Sequence, residues 1–352
     1  MVLSQNEPVP TPKEIIIETE KPLPTKMQLI RKPYPDFLER TPISKRTSSG
    51  NQCFYKEYQL PPQQKNVQVP KIFMLKTLRT GGTTFAGILR RIARNHNLTA
   101  LYPYNKISFD SIEDVEKAID NLQVEMSDVD ILCNNIVHNS KLIEKILGPN
   151  YFKVSLFRNP IQRSLSGYYY SRITPQYCSD ADLLRWLQNC APFRNGISQT
   201  FIDKGIPRAH HITIFESYDH YMITERFTES LLVLMAKLNL NIQDILYISS
   251  NNLTYPESVL LNDSEKEIFE TEVIKSNAAD YYLWTQANQR LSMEIEKLPF
   301  EFQGMKIVFE EMIQDIQQTC NSQKDMEDCF WIGQGCAKSC IDNWIEKNIV
   351  CE

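Results

Sequence analysis

The residues best suited to chemistry form a short basic and polar stretch, from Lys76 to Thr84. Lys76 and Arg79 supply positive charge, while Thr80, Thr83 and Thr84 supply hydroxyl groups. Ammonium, guanidinium and hydroxyl groups all donate hydrogen bonds to anionic oxygens, and the charged donors form the stronger bonds. The stretch therefore predicts a site for an anionic ligand.

The pattern around this stretch predicts the elements that position it. The apolar run 72–75 suits a buried strand, Gly81 and Gly82 suit a turn, and helical spacing follows from Thr83 to about Arg94. Strand, small-residue turn and helix start are the layout of a phosphate-binding loop, where backbone amides and the positive helix end face an anion. A tight connection without a ligand is the alternative. The stretch lacks the Gly-x-x-x-x-Gly-Lys-Ser/Thr pattern of nucleotide triphosphatases.

Strands alternate with helices over the next part of the chain. Short strands are predicted at 129–133 and 151–157, with a helix over 142–147 between them. This alternation predicts the α/β fold class, with a P-loop-like parallel sheet flanked by helices. Ligands bind such sheets at the carboxyl ends of the strands. His138 and Arg158, which follow the second and third strands, should therefore converge with the loop.

A second polar segment begins at Arg158. Pro160 fits the first turn of a helix, which would place Ser166 about two turns along it. Arg158 and Ser166 can then hold one phosphate, by a guanidinium fork and a hydroxyl. A helix-capping arginine followed by a buried aromatic cluster at 168–170 is the alternative interpretation.

Composition indicates how the chain divides into domains and which class of partner is disfavoured. The chain has 352 residues, 42% of them hydrophobic, and a formal charge of −5 that argues against a nucleic-acid partner. Eleven of its 19 prolines lie in the first 70 residues, so 1–66 is interpreted as an extended tail or stalk with a short docked segment around 53–55. The main domain is placed at 67–312 and a helical, Cys-rich C-terminal extension at 313–352.

The cysteines indicate an oxidising compartment. Five of the nine fall between Cys320 and Cys351, and sequons begin at Asn97, Asn252 and Asn262. Disulfides are favoured over zinc in the extension, because it holds neither a Cys-x-x-Cys pair nor a nearby histidine. The sequence shows neither a signal peptide nor a membrane span.

The two polar segments together resemble the sulfotransferases that use 3′-phosphoadenosine 5′-phosphosulfate (PAPS). Residues 79–85 look like the family's 5′-phosphosulfate loop and 158–166 like its 3′-phosphate motif, in the right order and about 75 residues apart. The chain is most similar to the galactose-3-O-sulfotransferases over roughly residues 68–312. Further likeness lies in the segments Lys76–Thr80, Arg94–Thr99, Glu225–Leu231 and Ala279–Trp284.

This resemblance implies a PAPS-dependent enzyme without a metal, acting on the galactose 3-OH of a glycolipid or glycoprotein glycan. It places the donor on Arg158, Ser166 and the loop. The implied loop contacts come from Lys76, Arg79, Thr80, Gly81, Gly82, Thr83 and Thr84. Arg79 would also neutralise the leaving group, and His138 would act as general base, with His210 and His211 as the runners-up. The resemblance also implies a Golgi location and membrane association.

The sequence departs from this family at three places. Arg79 stands where the family usually has lysine, Leu78 stands where the galactose group often has histidine, and an N-terminal membrane helix is missing. The last departure favours a fragment or a truncated gene product. A catalytically impaired glycan- or nucleotide-binding relative, a uronyl 2-O-type sulfotransferase with the Tyr168–Tyr170 run, and an altered nucleotide kinase remain as alternatives.

Overall fold

The computed structural model describes most of the chain beyond the N-terminal 51 residues. It covers residues 52–64, 67–102, 109, 111–134, 138–173, 185–186, 189, 195–202, 211–249, 260–320 and 337–351. Two compact units divide the chain, Met1–Phe37 and Leu38–Glu352, and every described residue lies in the second. The predicted stalk therefore falls largely outside the described residues.

The strands form two sheets. They are β1 (Cys53–Tyr55), β2 (Tyr58–Gln59), β3 (Ile72–Leu75), β4 (Thr99–Leu101), β5 (Val129–Asn134), β6 (Phe152–Phe157), β7 (His220–Ile223) and β8 (Ile349–Cys351). The larger sheet has the order β4-β5-β3-β6-β7 with every pair parallel. Its central strand β3 is buried along its whole length, as expected for a parallel sheet covered on both faces.

Helices follow most strands and cover both faces of this sheet. They are α1 (Gly82–Asn95), α2 (Ile112–Leu122), α3 (Ser140–Leu147), α4 (Pro160–Ile173), α5 (Gly196–Thr200), α6 (His211–Glu216), α7 (Phe227–Lys237), α8 (Asp263–Ser276), α9 (Ala278–Ile295), α10 (Phe302–Cys320) and α11 (Lys338–Asn348). None of the described helices is both long and apolar enough to cross a membrane.

The two faces of β3 build two separate cores, because side chains alternate along a strand. Ile72 and Met74 face one core, which α1, α7, α10 and α11 complete. Phe73 and Leu75 face the other, which α2, α3 and α9 complete. The predicted fold class, a parallel sheet flanked by helices, is confirmed.

The smaller sheet joins the two ends of the described chain. β1 pairs antiparallel with both β2 and β8, and a disulfide links Cys53 to Cys351 across 298 residues. A second disulfide joins Cys320 on α10 to Cys340 on α11. The docked segment predicted around 53–55 is strand β1, and disulfides, favoured over zinc for the C-terminal region, are present there. Cys329 and Cys336 lie outside the described residues.

The predicted boundary at 312/313 falls inside α10. Met312 and Ile316, on either side of it, pack in the same core as Ile72 and Met74 of the central strand. Helix α11 joins that core through Ile341 and Trp344. The C-terminal region therefore shares the core of the main domain, because its apolar faces cover one side of the sheet.

Candidate functional site

The turn between β3 and α1 has the backbone of an anion-binding loop. Arg79 and Gly81 both adopt left-handed conformations, with φ of 62° and 80°. Gly81 is the N-cap of α1 and provides no side-chain cap, and the first helical turn carries no acidic residue. The first amides of α1, beginning at Gly82, therefore point out of the helix end without helical acceptors. This end attracts an anion by its dipole and its N–H groups.

Two buried threonines fix the shape of this loop. The Thr80 hydroxyl donates to the Thr77 carbonyl at 3.0 Å, and the Thr77 hydroxyl donates to the Leu156 carbonyl at 2.8 Å. From the other side, the Thr224 hydroxyl lies 2.8 Å from the Thr80 carbonyl. The structure thus places the hydroxyl of Thr80, which was predicted to contact the donor, inside the loop, whereas Thr83 and Thr84 remain partly exposed on the first turn of α1.

Lys76 runs close beside the start of α1. A Cβ atom built on Gly82 would lie only 2.7 Å from Lys76 Cγ, so glycine at this position leaves room for the lysine stem. Burial lowers the pKa of the Lys76 ammonium; the nearby Cys133 thiol opposes this shift and the Arg90 guanidinium adds to it. An anion bound at the loop would therefore relieve an electrostatic cost at Lys76.

The two predicted donor segments meet in space. Arg79 Nε and Nη2 donate to the Ser166 hydroxyl at 3.1 and 3.0 Å, across 87 residues of sequence. Arg158 Nη1 donates to the Arg79 carbonyl at 3.2 Å. The Arg79 guanidinium also lies over the Tyr170 ring, 4.3 Å from its centroid. Arg79, Arg158 and Ser166 therefore form one cationic, hydroxyl-bearing wall beside the loop.

Helix α4 brings Ser166 to this wall. The helix starts at Pro160 as predicted, and the Asn159 side chain accepts hydrogen bonds from the Ile161 and Gln162 amides. The Asn159 amide donates in turn to Glu225 Oε1 at 2.9 Å. Strand β6 and the segment after β7 thereby fix the start of α4.

His138 lies beyond β5, and its partners come from β3, from the end of α5 and from the segment just before β7. It is only 2% exposed, and its Nδ1 is 2.9 Å from the Tyr218 hydroxyl. Its backbone amide donates to the Thr200 carbonyl at 2.8 Å, and its ring meets Phe73 edge-on. This packing orients the imidazole firmly. Of the two runners-up, His211 is the first residue of α6, and His210 lies outside the described residues.

The sequence interpretation missed a buried ion pair that holds the surroundings of the site. Asp280 on α9 accepts from Arg163 Nη2 at 2.9 Å and from the Ile197 and Ser198 amides at 3.0 and 2.7 Å. Both charged side chains are at most 1% exposed. The pair ties α4 to α5, and the Thr200 carbonyl of α5 holds His138. The signal available was Asp280 itself, a charged residue flanked in sequence by two alanines and two tyrosines.

Comparison with known proteins agrees with the motifs. A sequence model of the galactose-3-O-sulfotransferase family matches residues 41–202. Galactose-3-O-sulfotransferase 2 of Sus scrofa is 23% identical over 229 residues, which are 57% of this chain and 56% of that protein. The Homo sapiens protein of the same name is 22% identical over 228 residues, or 58% and 57% of the two chains. The chain thus spans a little over half the length of these relatives, and the predicted resemblance is confirmed.

Two solved structures also show similarity. One is a mouse sulfotransferase, SULT7A1, complexed with PAP; it is 14% identical, with a TM-score of 0.33, over 69% of this chain and 88% of that one. The other is a retinol dehydratase in complex with androsterone and inactive cofactor PAP, 13% identical with a TM-score of 0.28, over 68% and 85%.

Proposed function

We propose that this protein transfers a sulfuryl group from PAPS to a hydroxyl of a glycan. The observation that carries the proposal is the contact of Arg79 with Ser166 and Arg158. This contact brings the two motifs, distant in sequence, to one end of the parallel sheet. A donor with a phosphosulfate at one end and a 3′-phosphate at the other needs two neighbouring anion sites, and we assign these to the loop and to α4.

The residues divide into three groups at the donor. The amides of Gly82, Thr83 and Thr84 and the positive end of α1 hold the 5′-phosphosulfate. Arg158 and Ser166 hold the 3′-phosphate. Lys76 and Arg79 lie beside the loop and neutralise the charge that develops on the leaving phosphate as its bond to sulfur breaks. Held in this way, the donor presents its sulfur in line with an incoming hydroxyl.

His138 is proposed as the general base on the acceptor side. In that role Nδ1–H donates to the Tyr218 oxygen and Nε2 takes the proton. The acceptor oxygen forms its bond to sulfur as the bond to the phosphate oxygen breaks, so the products are a sulfate ester and 3′-phosphoadenosine 5′-phosphate (PAP). The competing role is structural, in which the buried imidazole packs between Phe73 and Tyr218.

The acceptor is proposed to be a galactose 3-OH of a glycolipid or glycoprotein glycan, because the family model and both curated relatives carry that specificity in their names. The two disulfides support an oxidising compartment, and we propose the Golgi lumen. Membrane association is part of the same proposal and rests on the family resemblance.

A second candidate function is that of a binding relative without turnover. Arg79 occupies the position of the family's lysine, and its guanidinium already hydrogen-bonds Ser166 and stacks on Tyr170. Arginine is bulkier than lysine and presents a rigid planar fork. A protein with arginine at this position can therefore bind the donor without supporting turnover.

Radiolabelled PAPS and a panel of galactosides and uronosides separate these functions. Sulfate transfer to a galactoside, lost in Arg158→Ala, would support the proposal. Transfer to uronosides alone would indicate the uronyl 2-O type. PAP binding without transfer to any acceptor would contradict the proposed activity and favour the binding relative.

A further inference from the structure

A second positive cluster borders the loop on the side away from α4. Lys76 follows the central strand β3, Tyr102 follows the edge strand β4, and Arg90 lies on α1. The Arg90 guanidinium carbon is 3.6 Å from the centroid of the Tyr102 ring. The three side chains thus gather at the carboxyl ends of the strands opposite to the half that holds Ser166.

Three polar atoms of this cluster make no hydrogen bond to a described residue. Arg90 Nε and Nη1 and the Tyr102 hydroxyl are buried without a hydrogen bond. Among those residues, the titratable neighbours that perturb Lys76 are Cys133 and Arg90, and neither is a carboxylate. The next two arginines of the same helix behave differently, since Arg91 and Arg94 both pair with Asp342 at 2.8 and 2.7 Å.

Such a cluster is costly without an anion. Buried donors that lose water without gaining an acceptor raise the free energy of the folded state, and a guanidinium raises it more than a neutral group does. Stacking on Tyr102 stabilises the Arg90 cation only partly. The unsatisfied donors of Arg90 therefore point to a ligand that supplies the missing acceptor oxygens.

The position of Arg90 directs it towards the transfer site. Thr83, Gly87 and Arg90 lie on one face of α1, at spacings of four and three residues. Helical side chains lean towards the helix N-terminus, so Arg90 leans along this face towards the loop, and Gly87 adds no side chain in its way. Lys76, whose stem lies against Gly82, stands between the cluster and the loop.

We propose that Arg90 and Tyr102, with Lys76 at their border, bind an anionic group of the acceptor, a carboxylate or an existing sulfate ester, next to the hydroxyl that receives the sulfuryl group. The inference rests on the proposed function and narrows its substrate class to acidic glycans. In the proposed function the loop and α4 match the donor's own phosphates, and neither Arg90 nor Tyr102 is used there.

Binding to the PAP-saturated protein tests this without requiring turnover. Calorimetry would compare methyl β-galactoside, the same galactoside carrying a 6-O-sulfate, and methyl β-galacturonoside. The wild type should bind the two acidic glycosides at least tenfold more tightly than the neutral one. Arg90→Gln should reduce this preference by roughly 10- to 100-fold, Tyr102→Phe by roughly 2- to 10-fold, and Arg90→Lys should retain part of it.

Two controls separate binding from folding. Lys145→Gln removes one positive charge from the exposed surface of α3 and should preserve the preference. Arg90→Gln should unfold at the wild-type temperature or above it, because it removes a cation whose buried Nε and Nη1 have no acceptor. A lower unfolding temperature with unchanged preference would show that Arg90 has a structural role and would overturn the proposal.

Each of the remaining outcomes also supports or overturns the proposed anion pocket. Equal affinity of the wild type for neutral and acidic glycosides would overturn the inference. So would a tenfold loss of PAP affinity in Arg90→Gln, since it would place the cluster on the donor. A preference for acidic glycosides that Arg90→Gln abolishes, found in a protein that transfers no sulfate, would support the anion pocket and contradict only the proposed activity.

Discussion

Replacing Arg158 by alanine tests how the second polar segment works. The structure gives this side chain a contact with the Arg79 carbonyl, at 3.2 Å from Nη1. The proposed function adds a second, charge-assisted contact to the 3′-phosphate of the donor. The substitution therefore removes one contact that shapes the loop and one that holds the ligand, and the assay has to separate them.

The ligand contact has a known order of magnitude. Hydrogen bonds to charged groups contribute about 1.5–3 kcal/mol, which is roughly a 10- to 150-fold change in affinity. Only a ligand with a 3′-phosphate makes this hydrogen bond, so only such a ligand loses its free energy when Arg158 is replaced. Arg158→Ala should therefore weaken PAP by that factor and weaken adenosine 5′-phosphate, which lacks the 3′-phosphate, much less.

Isothermal calorimetry on both ligands measures this difference directly. Gln162→Ala is the matched control, because Gln162 is exposed on α4 and lies between Arg158 and Ser166 in the sequence. An equal loss for both ligands would refute the reasoning, since it would mean that Arg158 acts only through the loop. Unchanged affinity for PAP would remove the segment from the donor site altogether. Ser166→Ala should repeat the selective loss at a smaller magnitude, because it removes a neutral donor.

Four further predictions follow. His138→Ala should lower turnover roughly 10²–10⁴-fold at unchanged PAP affinity; a wild-type rate would assign the base elsewhere. Arg79→Ala should lower both PAP affinity and rate, whereas Arg79→Lys should retain or raise the rate; activity appearing only in Arg79→Lys would identify a binding relative. Serine at both Cys320 and Cys340, which close a loop across 20 residues, should lower the free energy of unfolding by about 3 kcal/mol in denaturant titrations. Burial lowers the pKa of His220, so the unfolded state binds the proton more readily and the free energy of unfolding should fall below about pH 6.5; His220→Gln should flatten that slope.

Local patterns in the sequence were enough to predict the elements that carry the site. The helix predicted over Thr83–Arg94 spans Gly82–Asn95, and the strand predicted at 151–157 spans Phe152–Phe157. These elements have long apolar runs or clear helical spacing, so sequence period alone defines them. Strand β4 and strand β7 were missed because each is short and begins with a polar residue, so neither has the continuous apolar run that marked β3.

Side-chain environment was harder to predict than position. The sequence placed His138 after the second strand, but nothing local to it indicated the enclosure by Phe73, Tyr218 and Thr200. These partners come from distant parts of the chain and meet only in the folded sheet. The same holds for Thr80, whose hydroxyl is used inside the loop through contacts made by Thr77. Burial depends on tertiary contacts, which residue types and spacing do not specify.

The geometry of the site depends on residues beyond those that match the family model. That match ends at residue 202, yet Thr224 braces the loop through the Thr80 carbonyl and Glu225 accepts from the Asn159 amide before α4. Asp280 lies further still along the chain and ties α4 to α5 through Arg163. The loop after β3, the start of α4 and His138 therefore share supports on the segment after β7 and on α9. Breaking one of these supports, as in Asp280→Asn, should disturb the donor and acceptor sides together, whereas loss of Ser166 or His138 should affect one side alone.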